Sequence, residues 1–360
     1  MNTENLSNQP TSIPPASALE LPCAPEAVDD FLSLPSPAVL ATLARHSGPV
    51  LVLGAGGKMG LHVSAMVQRS FELAGRRDQV LAVSRFSTLR DRAEFESRGI
   101  TTVACDLADE KALAGLPEAP TVFFLAGVKF GTASDPEILR RMNVEMPRLV
   151  AERYRGSRIV AFSTGCVYPF VRPETGGASE STPVDANAAP YAASCIERER
   201  AFAAVSASHG TPVALIRLNY AVEFRYGLLL DIAQKVLEGQ PVDVGMGHVN
   251  VIWQSDAVAH SIQALDVAAS PAVPVNVTGA AVLSVRELAQ RFGELLGRPA
   301  VLTGTEAETA WLNDARWSHA RFGAPRTSLD EMLRWTAAWV RGVGRTWGKP
   351  TGFERRDGRF

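Results

Sequence analysis

Between residues 49 and 220 the chain alternates short apolar runs with longer stretches whose apolar positions recur at helical spacing. Val50 to Leu53 is an unbroken apolar run, and after it Val63, Met66, Val67, Phe71 and Ala74 fall on one face of a helix. A second run, Val80 to Val83, begins about 30 residues after the first, the length of one right-handed strand–helix–strand unit. Further strand candidates lie at Ile100 to Ala104, Thr121 to Leu125, Arg158 to Phe162 and Val213 to Leu218. Parallel strands need crossovers, so this interleaving predicts a doubly wound, parallel α/β sheet.

From about Asn219 the rhythm loosens. Helices near 226–238, 256–268, 284–296 and 327–342 mix with short strands near 249–253 and 273–277, which predicts a second, smaller α/β lobe. Ahead of the sheet, Ala27 to His46 carries helical spacing interrupted at Pro35 and Pro37. The resulting division is a flexible extension with a short helix over 1–48, the sheet domain over 49–220, the lobe over 221–345, and a loose charged tail over 346–360.

Composition narrows the function classes. With 46% hydrophobic and 21% charged residues and a net charge of -2, the chain reads as an ordinary globular protein with no general attraction to nucleic acid or anionic membranes. No stretch reaches the roughly 18 apolar residues of a membrane span, and the Pro- and Ser-rich start lacks the pattern of a secretory signal. Cys23, Cys105, Cys166 and Cys195 form no CxxC pair, so neither zinc nor a disulfide framework is expected, and a reducing cytoplasm is. The six histidines make no HExxH pattern, so no metal site is expected. A GxSxG nucleophile elbow is also missing.

The candidate chemistry begins at residues 54–60, Gly-Ala-Gly-Gly-Lys-Met-Gly, between a predicted strand and a predicted helix. Glycines at 54, 57 and 60 permit a tight turn, close approach to a pyrophosphate and close helix–strand packing, and the helix N-terminus favours negative charge. Gly54, Gly56, Gly57, Lys58, Met59 and Gly60 are therefore the candidate phosphate cradle. The spacing is GxxGxxG; GxGxxG would need glycine where Met59 stands.

That spacing resembles the extended short-chain dehydrogenase/reductase family, the NAD-dependent epimerase/dehydratase group, which implies a Rossmann sheet. The resemblance recurs in order along residues 49 to 342. Asp106-Leu107 resembles the family's adenine contact, Leu125-Ala126-Gly127 its cofactor-lining turn, and Asn143 its helix asparagine. Ser163-Thr164-Gly-Cys-Val167-Tyr168 resembles the SSxxVY strand end, which puts Thr164 at the catalytic Ser/Thr position. Pro190-Tyr191 resembles the catalytic tyrosine, and Arg217-Leu-Asn219, Asp256 and Asn276-Val-Thr-Gly279 resemble substrate-lobe motifs. A small-molecule substrate and a homodimer are implied with them. The second strand ends in Ser84-Arg85, without the carboxylate that NAD-using proteins place there, so NADP is expected ahead of NAD.

One departure bears on catalysis. The family signature is YxxxK, and this chain reads Tyr191-Ala-Ala-Ser-Cys195. Residues four apart on a helix are neighbours, so a lysine at 195 would lower the phenol's pKa, and a thiol does not. A neutral phenol can still donate a proton, which favours reduction over oxidation. Three readings stay open: Lys129 fills the vacated space, Cys195 acts as a nucleophile, or the protein keeps coenzyme binding as a non-catalytic sensor or accessory.

Between Ala221 and Val285 the only Lys or Arg residues are Arg225 and Lys235, against Glu223, Asp231, Glu238, Asp243, Asp256 and Asp266. A site for a nucleotide diphosphate calls for more positive charge, so the expected substrate is a small polyol, sugar or sugar-acid-like hydroxy-carbonyl compound, oriented by Asn219 and Arg225. The expected activity is that of an NAD(P)-dependent oxidoreductase or epimerase.

Overall fold

The structure is a computed structural model that describes residues 21–22, 27–87, 90–129, 135–342 and 344–358. Seven parallel strands form the main sheet: β1 (Val50–Leu53), β2 (Val80–Ser84), β3 (Thr101–Ala104), β4 (Thr121–Phe124), β5 (Arg158–Thr164), β6 (Val213–Leu218) and β7 (Val273–Val277). Their order is β7-β6-β5-β4-β1-β2-β3, with Val50 beside both Val80 and Thr121. The order reverses between β1 and β4, so the connections leaving these two strands diverge and open a crevice at their C-terminal ends.

The period-2 geometry of each strand sends alternate side chains into two apolar layers. Val50 and Val52 join Met66, Phe71 and Phe123 on one face, against the helix Gly60–Leu73. Leu51 and Leu53 join Phe124, Tyr154 and Phe202 on the other, against the helices Met146–Arg153 and Pro190–His209. A third core lies in the lobe, where Phe224, Trp253, Trp335 and Trp339 pack edge-on, tilted or stacked with the helices Leu228–Glu238, Val285–Leu296 and Leu329–Arg341.

Three features differ from the sequence expectation. Val273–Val277, expected in the lobe, is β7 and pairs with β6 in the main sheet, because the chain returns after the helix Gln254–Gln263 as one more parallel crossover. Residues 28–46 are built into the fold rather than flexible. Ser36 caps the helix Pro37–Arg45, and the Asp29 carboxylate accepts hydrogen bonds from His62 at 2.8 Å, Arg90 at 2.8 and 2.9 Å and Arg225 at 2.6 Å. Residues 1–20 and 23–26 of the expected extension lie outside the described residues. The tail is docked rather than loose: the Trp347 indole donates to Glu223, Thr351 donates twice to Asp231, and Phe353 is 2% exposed in the lobe core. The charges of the segment mask these few anchoring side chains. No described helix is long and apolar enough to cross a membrane.

Candidate active site

The glycine turn occupies the crevice between β1 and β4. Gly54 has φ +85°, and a Cβ there would sit 2.5 Å from the Ala126 nitrogen, so this turn and the Leu125–Gly127 turn abut backbone to backbone. At Gly60 a Cβ would overlap the Ala55 carbonyl, and at Gly56 it would meet the Ser84 hydroxyl at 2.5 Å. Gly57 is exposed. The result is a backbone concavity at the N-terminus of a 14-residue helix, with no side chain filling it from the glycines themselves. These residues fit a dinucleotide's diphosphate.

The flanking residues have separate tasks. Ser84 lies against Gly56 and accepts from Phe86 N at 3.4 Å, while Arg85 is exposed beside it. Asp106 accepts from Ala108 N at 3.0 Å and has Arg141 at 3.5 Å, whereas Leu107 is buried in the core. Asn143, the expected helix asparagine, bonds to the loop after β4. It is fully buried, its carbonyl oxygen accepts from Val128 N and Arg198, and its amide donates to Val128 O and Ser194. Its hydrogen-bonding capacity is thus spent on pinning the loop that leads to Lys129.

Past the turn, a cavity of about 220 Å³ brings together Lys58, Met59, Lys129, Thr164, Tyr191 and Asn219 from segments distant in sequence. Thr164 ends β5, and its hydroxyl accepts from Cys166 N at 3.2 Å. The preceding Ser163 donates to Glu199, which is paired with Arg217, and Arg217 donates to Tyr168, which donates to Asn276. Arg217, Tyr168 and Asn276 therefore form a buried polar chain that fixes the strand end. Asp256 is likewise buried, holding Thr327 N at 2.9 Å.

Tyr191 stands in the first turn of the helix Pro190–His209, with Cys195 one turn on and fully buried. The phenol donates to the Cys195 sulfur. Burial and this thiol hold the phenol well above its ordinary pKa, and burial raises the thiol too. A buried thiol with a raised pKa lacks the thiolate character of a nucleophile. Lys129 is 5.8 Å from the centroid of the Tyr191 ring, and burial lowers its pKa. The cation whose charge lowers the phenol, against burial and Cys195, is Arg198.

Of the two substrate candidates, Asn219 lines the cavity and donates to Trp311 O at 3.1 Å. Arg225 does not line it and is corrected to a structural role: its guanidinium is buried against Asp29 and Glu223 and stacks over the Trp347 ring. Sequence reasoning missed Tyr226, Gln254 and Thr351 on the cavity wall. Gln254 donates to His62 Nδ1 at 2.7 Å, which links the wall to the Asp29 cluster. No motif marks these residues, since each reaches the cavity through tertiary packing. Among the described residues no group of His, Cys, Asp and Glu could hold a metal ion.

Comparisons with known proteins place this geometry. Residues 50–271 match the family model described as the NAD dependent epimerase/dehydratase family. Similar solved structures include the UDP-glucose 4-epimerase of Thermotoga maritima with UDP-glucose, at 18% identity and a TM-score of 0.67, covering 82% of this chain and 99% of that one. The UDP-glucose 4-epimerase of Thermus thermophilus with NAD aligns at 21% identity and a TM-score of 0.66, covering 82% and 99%. WbmG of Bordetella bronchiseptica, with NAD and UDP, aligns at 19% and 0.67, covering 85% and 99%. These likenesses show the fold. No curated protein sequence matches the chain. With the model spanning more than half of the sequence, the chain belongs to the NAD-dependent epimerase/dehydratase family.

Proposed function

We propose that the protein is an NAD(P)-dependent oxidoreductase or epimerase acting on a small hydroxy-carbonyl compound. The observation that carries this reading is the convergence of Thr164, Tyr191 and Lys129 on one cavity beside the glycine turn. The glycine turn would hold the coenzyme's diphosphate, Ser84 and Arg85 its adenosine ribose, and Asp106 its adenine end. When bound, the coenzyme supplies or accepts hydride.

Each side chain then has one task. Thr164 donates a hydrogen bond to the substrate oxygen and orients it. Tyr191, released from Cys195, gives a proton to that oxygen in reduction and takes one in oxidation. Lys129 supplies the positive charge that makes the phenol's proton easier to lose. The absence of a carboxylate at Ser84, with exposed Arg85 next to it, supports NADP ahead of NAD. Four similar solved structures carry UDP or a UDP-sugar, but Arg225 is committed to Asp29 and Lys235 lies near Glu354, which supports a substrate without a nucleotide. The helices Met146–Arg153 and Pro190–His209 are proposed as the face of a homodimer, which light scattering would reveal.

The test is Tyr191→Phe. Turnover on a panel of hydroxy and keto compounds should fall about 10²- to 10⁴-fold with coenzyme affinity unchanged. A second reading, a non-catalytic coenzyme-binding protein, is favoured by the thiol at 195 and the phenol's bond to it. Tight NADPH binding without turnover of any compound would select it.

A further inference from the structure

Gln254 opens the helix Gln254–Gln263 and stands on the cavity wall, 3% exposed. Which end of its amide faces the cavity is decided from behind, by a chain of buried groups. The Asp29 carboxyl is held ionised, so it can only accept, and it takes hydrogen bonds from Arg90 and Arg225 as well as from His62 Nε2. His62 Nε2 therefore carries a proton. Burial, with the Arg90 charge, lowers the His62 pKa against the pull of Asp29, so the fully buried ring keeps one proton and not two.

The remaining nitrogen, Nδ1, is then a lone pair that needs a donor, and the group 2.7 Å from it is the Gln254 amide. The NH2 of Gln254 must face His62, which turns the carbonyl oxygen the other way. Among the described residues nothing donates to that oxygen, and it is not one of the polar atoms sealed in the interior. The cavity is the space it opens on. Asn219 has the same polarity: its NH2 donates to the Trp311 carbonyl, which can only accept, so the carbonyl oxygen is the end left for the cavity. Asp29, where the chain of constraints starts, lies ahead of the residues that match the family model.

Resting on the reading of the site given above, we infer that Gln254 determines specificity by accepting a hydrogen bond from a second hydroxyl of the substrate, which is therefore a polyhydroxy compound and not a simple ketone or alcohol. His62 and Asp29 are positioning residues that hold the amide in this sense. A buried acceptor rejects a ligand that cannot donate, because the acceptor is then left unpaired.

Two measurements test this. Nitrogen NMR on the full chain, with His62→Gln identifying the signal, should show His62 with Nε2 protonated and Nδ1 bare. Calorimetry with NADP⁺ present uses glucose, galactose and their monodeoxyfluoro derivatives, in which fluorine replaces a hydroxyl at little change in size and cannot donate. At least one derivative should bind tenfold or more weakly than its sugar. Gln254→Leu should bind that sugar and that derivative within twofold of each other, whereas a merely structural role would weaken both alike and preserve the tenfold difference. A protonated Nδ1, a panel in which no derivative shows the tenfold loss, or a loss that persists in Gln254→Leu overturns the inference. A Gln254-dependent loss seen when NADP⁺ and NAD⁺ give no heat would keep this contact and remove the coenzyme reading.

Discussion

Lys129→Met keeps a flexible unbranched side chain, one atom shorter, and removes its charge. The ammonium lies 5.8 Å from the Tyr191 ring centroid. At about 6 Å and an effective dielectric of about 20, a unit charge is worth roughly 3 kcal/mol, or about 2 pKa units of the phenol. The phenol is already held high by burial and Cys195, with Arg198 pulling it down; on the proposed role of Lys129, removing that charge raises it further. Oxidation needs the deprotonated phenol, so the rate of alcohol oxidation near neutral pH should fall about 100-fold, and its rise with pH should move up by about 2 units. Carbonyl reduction starts from the neutral phenol and should lose about tenfold or less. The assay is kcat in both directions over about pH 6 to 10, below the raised pKa of the phenol, where the oxidative rate climbs with pH as the deprotonated fraction grows. Adding Cys195→Lys to Lys129→Met should recover part of the oxidative rate by returning a cation one helical turn from Tyr191. If Lys129→Met oxidises within threefold of the parent with an unmoved pH profile, the ammonium does not act on the phenol and the reasoning fails.

Gly60→Ala drives a Cβ into the Ala55 carbonyl, so it should cost about 1–3 kcal/mol in urea unfolding and abolish the heat of coenzyme binding. Asp29→Asn leaves two guanidinium cations, Arg90 and Arg225, around a neutral amide and should destabilise the fold by about 3–5 kcal/mol. Hydrogen bonds from His62, Arg90 and Arg225 outweigh burial and hold the Asp29 carboxyl well below its ordinary range, so its contribution is present above the unfolded value near 3.9 and is lost as pH falls below it. The stability gap between parent and Asp29→Asn, read from urea midpoints, should therefore narrow by only about 1 kcal/mol or less from about pH 7 to about pH 3.5, and narrow further at lower pH. Phe353→Ala, in the docked tail, should cost about 3–5 kcal/mol by the same measurement, where a loose tail would show no change. Ser84→Asp should shift the coenzyme preference from NADPH toward NADH by about tenfold or more, read as the ratio of calorimetric affinities.

The sheet was legible because its information is local. β1 and β4 are buried on both faces, so each appears as an uninterrupted apolar run, and the glycines at 54 and 60 announce the turn that follows. The second sheet edge was harder to read. Val273–Val277 has the same apolar character, but the segments before it are short and irregular, and nothing in its own residues says that it returns to β6. Asp29, Thr351 and Phe353 are hidden for a related reason. Each is a single anchoring side chain within a polar stretch, and its partners His62, Asp231 and the lobe core lie far away in the chain.

The site divides along the same line. Thr164 and Tyr191 could be found from their motifs because the strand end and the first helical turn that carry them are local structures. Lys129, the proposed cation, could be named but not placed, because the residue before it is held by Asn143, which is distant in sequence. That side chain clamps Val128 through both its backbone groups while Arg198 and Ser194 hold the amide in place, so the β4 loop leaves Lys129 beside the helix rather than in solvent. Asn143→Ala should therefore reproduce the Lys129→Met pH profile with Lys129 still present. Coenzyme affinity should change less than the oxidative rate, since the residue acts by placing the lysine. An oxidative rate and pH profile unmoved by Asn143→Ala, in a protein whose unfolding shows the loop to be loosened, would mean that Lys129 reaches Tyr191 without the clamp.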